Sequence, residues 1–287
     1  MTSEPAARTA PEGDAPGPHQ PPTPAPTGAA RSLAALRLLA EHPTGLRLGE
    51  VAAALGTPKS SAHRSLGVLV GGGFARQDAD GLYHLGFDLV RLVVGYQEAQ
   101  PTVHAVTPVL RRLAETTGET AHYGTLIEGA IVYQAKVPPP RATFQMSSVV
   151  GGSNPAYRTG IGKALLMHAL PDRTAVDRYV ASYGPLEART PHTLVSAAAL
   201  HEALSRYRRA GYALDLEEND LGIVCIAFPV FLGSPSRPTG ALSISAVASR
   251  TTADELVAQM PAVRRIVAEE LGPAALPDPA VPDPEEP

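Results

Sequence analysis

The stretch LGEVAAALGTPKSSAHRSLGVLVGGGFARQ at residues 48–77 decides the fold. Leu48, Val51, Ala52 and Leu55 recur at i, i+3, i+4 and i+7, the spacing of one helix face. Gly56 follows directly, where a residue of positive φ closes a helix. Thr57 and Pro58 then supply an N-cap and a first-turn proline for the next helix. Two helices joined by so short a glycine-containing turn predict a helix-turn-helix. In the second of them, Ala62, Leu66 and Leu69 share one face, which should pack inward. At about 100° per residue Ser60 and Arg64 lie opposite that face, flanked by Ser61 and His63. Lys59 falls nearer the core side, but its long stem can reach outward at the helix start. From Val51 to Gln77 there are three Lys/Arg and no Asp or Glu. A helix entering the major groove needs this pattern: short polar and basic side chains, and no carboxylate facing phosphates. A merely solvated face would mix both signs of charge.

Upstream, Leu33, Leu36 and Leu39 form the stripe of a first helix, with Ser32 as its N-cap and Pro43 to Gly45 as its break. Downstream, Phe74–Gln77 and Leu82–Leu85 flank Asp78-Ala-Asp-Gly81, a hairpin turn signal. Helix-turn-helix followed by a hairpin is a winged helix, expected over residues 29–87. Arg76 and His84 lie where they could reach phosphate or the minor groove, and His84 reads equally well as strand filler. Gly71-Gly72-Gly73 reads as the exit from the recognition helix, because no strand precedes it and no Gly-Lys-Ser/Thr follows. Leu89, Leu92, Val93 and Tyr96 then stripe a linker helix over 88–100, ended by Pro101. Its apolar face either pairs with a second copy, doubling the half-sites read, or packs on its own domain.

Residues 101–272 mix helices and strands. Helices are expected around Leu110 and Leu113, from Gly160 to about Ala169 capped by Thr159, from about Ser196 to Ala210, and from Ala253 to Leu271. Strands are expected at 120–126, 131–136, 213–216, 223–228 and 241–246. The whole chain is therefore of α+β class, and this part an antiparallel sheet flanked by helices. Gly160-Ile-Gly-Lys163 fails as a phosphate loop, since Tyr157 stands at the first glycine and Ala164 at the Ser/Thr. It also fails as a dinucleotide fingerprint, with Leu165 at the third glycine. What remains is a helix N-terminus suited to a small anion. No Gly-x-Ser-x-Gly elbow and no His or Cys/His spacing for a metal occur, so neither enzyme, cofactor nor metal site is expected.

The chain has 287 residues, a net charge of −4, 29 prolines and a single cysteine. One cysteine excludes an intrachain disulfide framework. No apolar run reaches bilayer length and no signal region follows Met1, so cytoplasm is the default compartment and no membrane partner is expected. Eight prolines lie in residues 1–28 and six in residues 273–287, and both segments read as disordered tails, the second of them acidic. The tails carry −2 and −4, which leaves +2 on the rest. The overall negative charge thus describes the ends, and the folded part is mildly suited to DNA.

Spaced motifs across both parts resemble the IclR-type transcriptional regulators. They are Leu-Gly-Thr-Pro-Lys-Ser-Ser-Ala-His-Arg (55–64), Gly-Phe-Ala-Arg (73–76), Tyr-His-Leu-Gly (83–86) and Thr-Gly-Ile-Gly-Lys-Ala (159–164). Arg-Thr-Pro-His-Thr-Leu (189–194), Gly-Tyr-Ala-Leu-Asp-Leu-Glu-Glu (211–218), Gly-Ile-Val-Cys-Ile-Ala (222–227) and Leu-Ser-Ile-Ser (242–245) follow in order. The resemblance covers about residues 29–271. It implies a winged helix-turn-helix, a linker helix and a GAF-like effector-binding domain, in repressors or activators that are usually dimers or tetramers. It also implies a small-molecule effector, often an organic or aromatic acid, in a pocket that carries over to Met146, Gly160, Ile161, Asp215, Cys225, Ser243 and Ser245. The chemistry is compatible: the Gly160 and Ile161 amides can hold a carboxylate, and Ser243 and Ser245 alternate onto one strand face. Asp215 would repel an anion unless shielded or bound to a hydroxyl or amine, and Cys225 would line the cavity without reacting. Asn154 falls where some relatives carry an apolar pocket residue, Phe228 where many carry alanine, and Arg158 sits beside the amides.

The expected partners are therefore double-stranded operator DNA, read by Lys59, Ser60, Ser61, His63, Arg64 and Arg76, a small-molecule effector, and further copies in a homodimer or homotetramer. Two alternatives stand beside this: a sensor whose helix-turn-helix contacts protein, and a small-molecule enzyme using the C-terminal cavity.

Overall fold

The computed structural model describes residues 28–141 and 146–276. The chain divides into two compact units, the first ending at Tyr96 and the second beginning at Gln97. The division falls inside the expected linker helix, which runs from Phe87 to Glu98.

The first unit holds α1 (Gly28–Glu41), β1 (Leu46–Arg47), α2 (Leu48–Ala54), α3 (Lys59–Gly71), β2 (Ala75–Gln77), β3 (Leu82–Leu85) and most of α4 (Phe87–Glu98). Its strands form an antiparallel sheet ordered β1-β3-β2, with Arg76 opposite His84. Leu39, Val51, Leu66, Leu69 and Tyr83 bury together as its core. Each fully buried aliphatic side chain contributes about 1.5–3 kcal/mol, enough for three short helices to hold one another. Two caps differ from expectation. Ser32 does not cap α1 but lies inside it, buried, its hydroxyl donating to Gly28 O at 3.2 Å and Ser65 O at 3.4 Å. Bonding back to the i−4 carbonyl is how a serine is accommodated within a helix. Leu33 consequently faces solvent. At α3 it is Pro58, not Thr57, that occupies the cap, its carbonyl accepting from the Ser61 and Ala62 amides at 2.9 and 3.1 Å.

The wing is tied by Asp78. One carboxylate oxygen accepts the Asp80 and Leu82 amides at 3.0 and 2.8 Å, and the other meets His84 Nε2 at 2.8 Å. Arg47 donates to Asp80 O at 3.0 Å, joining the wing to the start of α2. Gly45 lies flat on the His84 ring with φ +86°, and a Cβ there would come within 2.5 Å of the imidazole.

The second unit runs α5 (Pro101–Thr117), β4 (Thr120–Ile127), β5 (Ala130–Val137), β6 (Ser153–Pro155), α6 (Gly160–Ala169), α7 (Arg173–Tyr183) and α8 (Ala197–Ala210). Then follow β7 (Ala213–Leu216), β8 (Ile223–Val230), β9 (Gly240–Val247), α9 (Ala253–Ala258) and α10 (Met260–Leu271). The six strands form one antiparallel sheet ordered β6-β5-β4-β9-β8-β7. Helices cover both faces. Leu110 and Leu113 of α5 and Val263 and Ile266 of α10 pack on Ile226, Phe228, Leu242 and Ile244. On the other face Leu165 and Leu166 of α6, Val176 of α7 and Leu200 and Leu204 of α8 pack with Ile131, Ala227 and Ala241. Strict alternation along β9 thus sends Leu242, Ile244 and Ala246 to one core and leaves Ser243 and Ser245 on the α6 side.

Several expectations change here. Helix α7 and strand β6 were not legible; α7 starts on Asp172, whose carboxylate caps the Ala175 amide at 2.8 Å. The final helix is two helices, α9 opened by a Thr252–Glu255 capping box and α10 beginning after Gln259. A proline at position 261 suits a first turn and not a helix interior. The chain also stays folded past residue 272. Gly272 turns it at φ +89°, Ala275 and Leu276 are buried, and Ala275 O accepts the Phe231 amide at 2.9 Å. The acidic tail therefore begins no earlier than residue 277. The proline-rich segment 1–27 and residues 277–287 lie outside the described residues.

Candidate functional site

Two surfaces carry the sequence-predicted residues, one in each unit. In the first unit, burial of Ala62, Leu66 and Leu69 fixes the rotation of α3. Lys59, Ser60, His63 and Arg64 are left exposed and Ser61 half-buried. Arg76 is exposed on β2, its guanidinium 5.9 Å from the centre of the Phe87 ring, a cation–π contact that restrains it at the wing base. His84 is engaged by Asp78 and Gly45, so the structure gives it a packing role in the wing. The exposed face of α3 offers hydroxyl, imidazole and guanidinium donors along its first two turns, the part of a recognition helix that meets base edges.

In the second unit all seven carried-over positions line one cavity of about 300 Å³. Its floor is made of two rungs of the sheet. One rung aligns Asp215, Cys225, Ser245 and Thr120; the next aligns Ala213, Ala227, Ser243, His122 and Lys136. The rungs are two residues apart, so their side chains share a face. The N-terminus of α6 closes one side. Thr159 caps it, its hydroxyl accepting the Gly162 amide at 3.0 Å. The amides of Gly160 and Ile161 precede the first intrahelical bond and carry the positive end of the helix dipole.

The two glycines of this turn have separate packing reasons. A Cβ on Gly160 would lie 2.8 Å from Cys225 Sγ, and one on Gly162 would lie 2.0 Å from the Ala156 carbonyl oxygen. Both absences let α6 sit directly on β8 and on the turn that precedes it.

Beneath the cavity Lys163 is fully buried, ion-paired to Glu218 and 5.7 Å from the Tyr207 ring centre. Glu218 Oε2 is buried without a partner among the described residues. Asp215 accepts the Glu218 amide at 2.8 Å and the Asn219 amide at 3.4 Å. Burial pushes its carboxyl up to about 6, against the pull of Lys163. Burial also pushes the Cys225 thiol up to about 12, which keeps it neutral and unreactive.

His122, Tyr133, Asn219 and Asp220 also line the cavity and were missed. His122 is enclosed, and burial together with Lys136 pushes its imidazole down to about 3. As a neutral ring it bonds Ser148 Oγ at 2.8 Å and Ser243 Oγ at 3.5 Å. Lys136 Nζ donates to Met146 O and Ser148 O at 2.8 and 2.6 Å, which holds Met146 at the cavity. The signal for His122 was its place opposite Ser243, which requires the strand pairing. The cavity therefore combines amide and hydroxyl donors, a neutral imidazole, one carboxylate of raised pKa and apolar walls from Ile161, Leu221 and Ile223.

Of the three departures noted in the sequence, Phe228 lies in the opposite core and not in the cavity. Arg158 donates to Asn219 Oδ1 at 3.0 Å and stiffens a wall. Asn154 lies on β6 opposite Ile131, lining a smaller neighbouring space and not this cavity. No helix among the described residues is long and apolar enough to cross a membrane.

Comparison with known proteins gives two family matches. The model of the IclR helix-turn-helix domain matches residues 28–79, and that of the bacterial transcriptional regulator IclR C-terminal domain matches residues 94–270. The chain is 37% identical over 203 residues to the HTH-type transcriptional regulator BhcR of Paracoccus denitrificans, covering 70% of this chain and 71% of that protein. It is 33% identical over 231 residues to the transcriptional repressor IclR of Escherichia coli, covering 79% and 82%. Among solved structures, the Thermotoga maritima IclR superposes with a TM-score of 0.70 at 25% identity, over 84% of this chain and 97% of that one. The fold is shared at 21% identity and TM-score 0.71 with an IclR homologue from Microbacterium hydrocarbonoxydans, complexed with 4-hydroxybenzoate, over 85% and 99%.

Proposed function

The chain belongs to the IclR family of transcriptional regulators, and from that premise we propose that α3 and the wing read an operator while the sheet cavity binds a small organic acid that modulates DNA binding. Regulators of this family join a helix-turn-helix DNA-binding domain to an effector-binding domain. Ser60, Ser61, His63 and Arg64 read base edges, while Lys59 and Arg76 hold phosphate. The observation that carries this is the acid-free exposed face of α3, set by burial of Ala62, Leu66 and Leu69.

The acid occupies the cavity with its carboxylate at the Gly160 and Ile161 amides and the Ser243 and Ser245 hydroxyls. Met146 and Ile161 take its apolar body, Asp215 meets it protonated or through a hydroxyl, and Cys225 lines the wall. The relatives are transcriptional regulators and not enzymes. Absence of catalysis here is supported by the pair Ser243 and His122: an imidazole held down to about 3 is a poor base, and among the described residues its ring bonds two serine hydroxyls and no carboxylate. Exposed Leu92, Val93 and Tyr96 on α4 support pairing with a second copy, as a dimer or a dimer of dimers. Action in the cytoplasm follows from an operator as partner.

Genome-wide mapping of bound fragments supplies the operator, and gel shifts on it test the assignment. Arg64→Ala should weaken operator binding by about 1–3 kcal/mol and relax one base position, whereas Lys59→Ala should weaken all fragments alike. Unchanged operator affinity in Arg64→Ala removes the assignment.

A further inference from the structure

The wing sheet has a core face and a water face, and strand register divides its side chains between them. On β3 Tyr83 is buried in the core, so Leu82 and His84 point the other way. Arg47 pairs with Leu82 and Arg76 with His84, which puts both arginines on the water face, one on each edge strand. Their backbones stand two strand spacings apart, about 10 Å. Arg76 is already placed on phosphate, whereas Arg47 belongs to none of the sequence motifs. Arg47 is exposed, and one end of its guanidinium is pinned to the Asp80 carbonyl at 3.0 Å. Among the described residues it enters no ion pair. The carboxylates around it are engaged or at the turn: Glu50 accepts the Arg47 amide at 2.6 Å, Asp78 holds His84 and two amides, and Asp80 stands exposed at the wing tip. Lys59 approaches from the other side, its Cε 3.7 Å from where a Cβ on Gly49 would lie, two residues along from Arg47. Lys59, Arg47 and Arg76 thus mark a cationic path from the start of α3 to the far edge of the wing. A guanidinium held at one end has lost rotamer freedom and still presents N–H groups in a fork that fits phosphate.

We propose that Arg47 is a further DNA contact, a phosphate anchor that extends the DNA surface from α3 across the outer face of the wing. This rests on the operator-binding reading of α3 and the wing. A phosphate contact is blind to sequence and sensitive to salt. Each one lost lowers the slope of log affinity against log salt by about 0.9, which is about fivefold in affinity at roughly 0.15 M salt. The test is fluorescence anisotropy of the full chain over a salt series, on a mapped operator duplex and on a non-operator duplex of equal length. Arg47→Gln keeps a donor for the Asp80 carbonyl and removes the charge. It should lose that slope and that affinity for each bound copy, equally on both duplexes, and Arg47→Ala should do the same if the glutamine variant does not fold. Arg47→Lys should keep the wild-type slope. Arg37→Gln, which removes the same charge from the exposed side of α1, should keep it too. An unchanged slope in Arg47→Gln, an equal fall in Arg37→Gln, or a loss confined to the operator duplex overturns the assignment. In that case operator binding weakened by Arg64→Ala leaves the reading of α3 standing. If the full chain binds neither duplex, that reading falls and the Arg47 contact with it.

Discussion

Replacing Asp215 with asparagine should stabilise the second unit at neutral pH, and the gain should vanish in acid. Asp215 is buried, and its carboxyl is pushed from an ordinary 3.8 up to about 6. At about 1.36 kcal/mol per pH unit, holding it ionised within the fold costs about 3 kcal/mol at pH 7. The folded state binds this proton more tightly than the unfolded chain does. Below pH 3.8 the two states are equally protonated and the penalty is absent. It grows as pH rises toward about 6 and is constant above that value. Asparagine keeps the oxygen that accepts the Glu218 and Asn219 amides and removes the charge. Urea unfolding of the full chain, followed by circular dichroism at pH 7.5 and pH 4, measures the difference. A gain of up to about 3 kcal/mol at the higher pH, shrinking toward zero at the lower, is expected. A gain independent of pH, or a loss at pH 7.5, refutes the reading that burial outweighs the Lys163 and amide contacts of this carboxylate.

Three further outcomes follow from the same region. Gly162→Ala places a methyl 2.0 Å from the Ala156 carbonyl oxygen, which is backbone and cannot swing aside. It should destabilise by at least about 1–3 kcal/mol in the same urea assay. Lys163→Met strands Glu218 inside the protein and should cost about 3–5 kcal/mol, whereas the double change Lys163→Met with Glu218→Leu should recover most of it. Finally, benzoate affinity by calorimetry should rise from pH 7.5 to pH 5.5 as Asp215 takes up its proton, and Asp215→Asn should flatten that dependence.

The elements visible in the sequence were those whose signals are local. The α2–turn–α3 unit declares itself through heptad-like spacing and a glycine stop, and the strands of the large sheet through apolar runs. Helix α7 has a weaker apolar stripe, Val176 and Tyr179, and only Asp172 to open it. Strand β6 has three residues and is a strand only because β5 lies beside it. Ser32 looked like a cap because a cap and a buried i−4-bonded serine have the same sequence signature. Leu276 looked like tail because proline density hides the packing of one more turn on α10 and β8.

For the cavity, the seven positions carried over by the resemblance line one concave surface, joined there by His122 and Tyr133, while Phe228 lies in the opposite core. Sequence alone determined the chemistry available: the acid-free recognition helix, the bare amides at Gly160 and Ile161, and the serines alternating along β9. Periodicity and turn residues act within a few positions of the chain, so one strand of text suffices to read them. Tertiary structure alone decided which groups meet. The pairing of β4 with β9 set His122 against Ser243, and the pairing of β7 with β8 set Asp215 against Cys225. Burial between sheet and α6 then fixed their protonation, because desolvation depends on what surrounds a group and not on its neighbours in sequence.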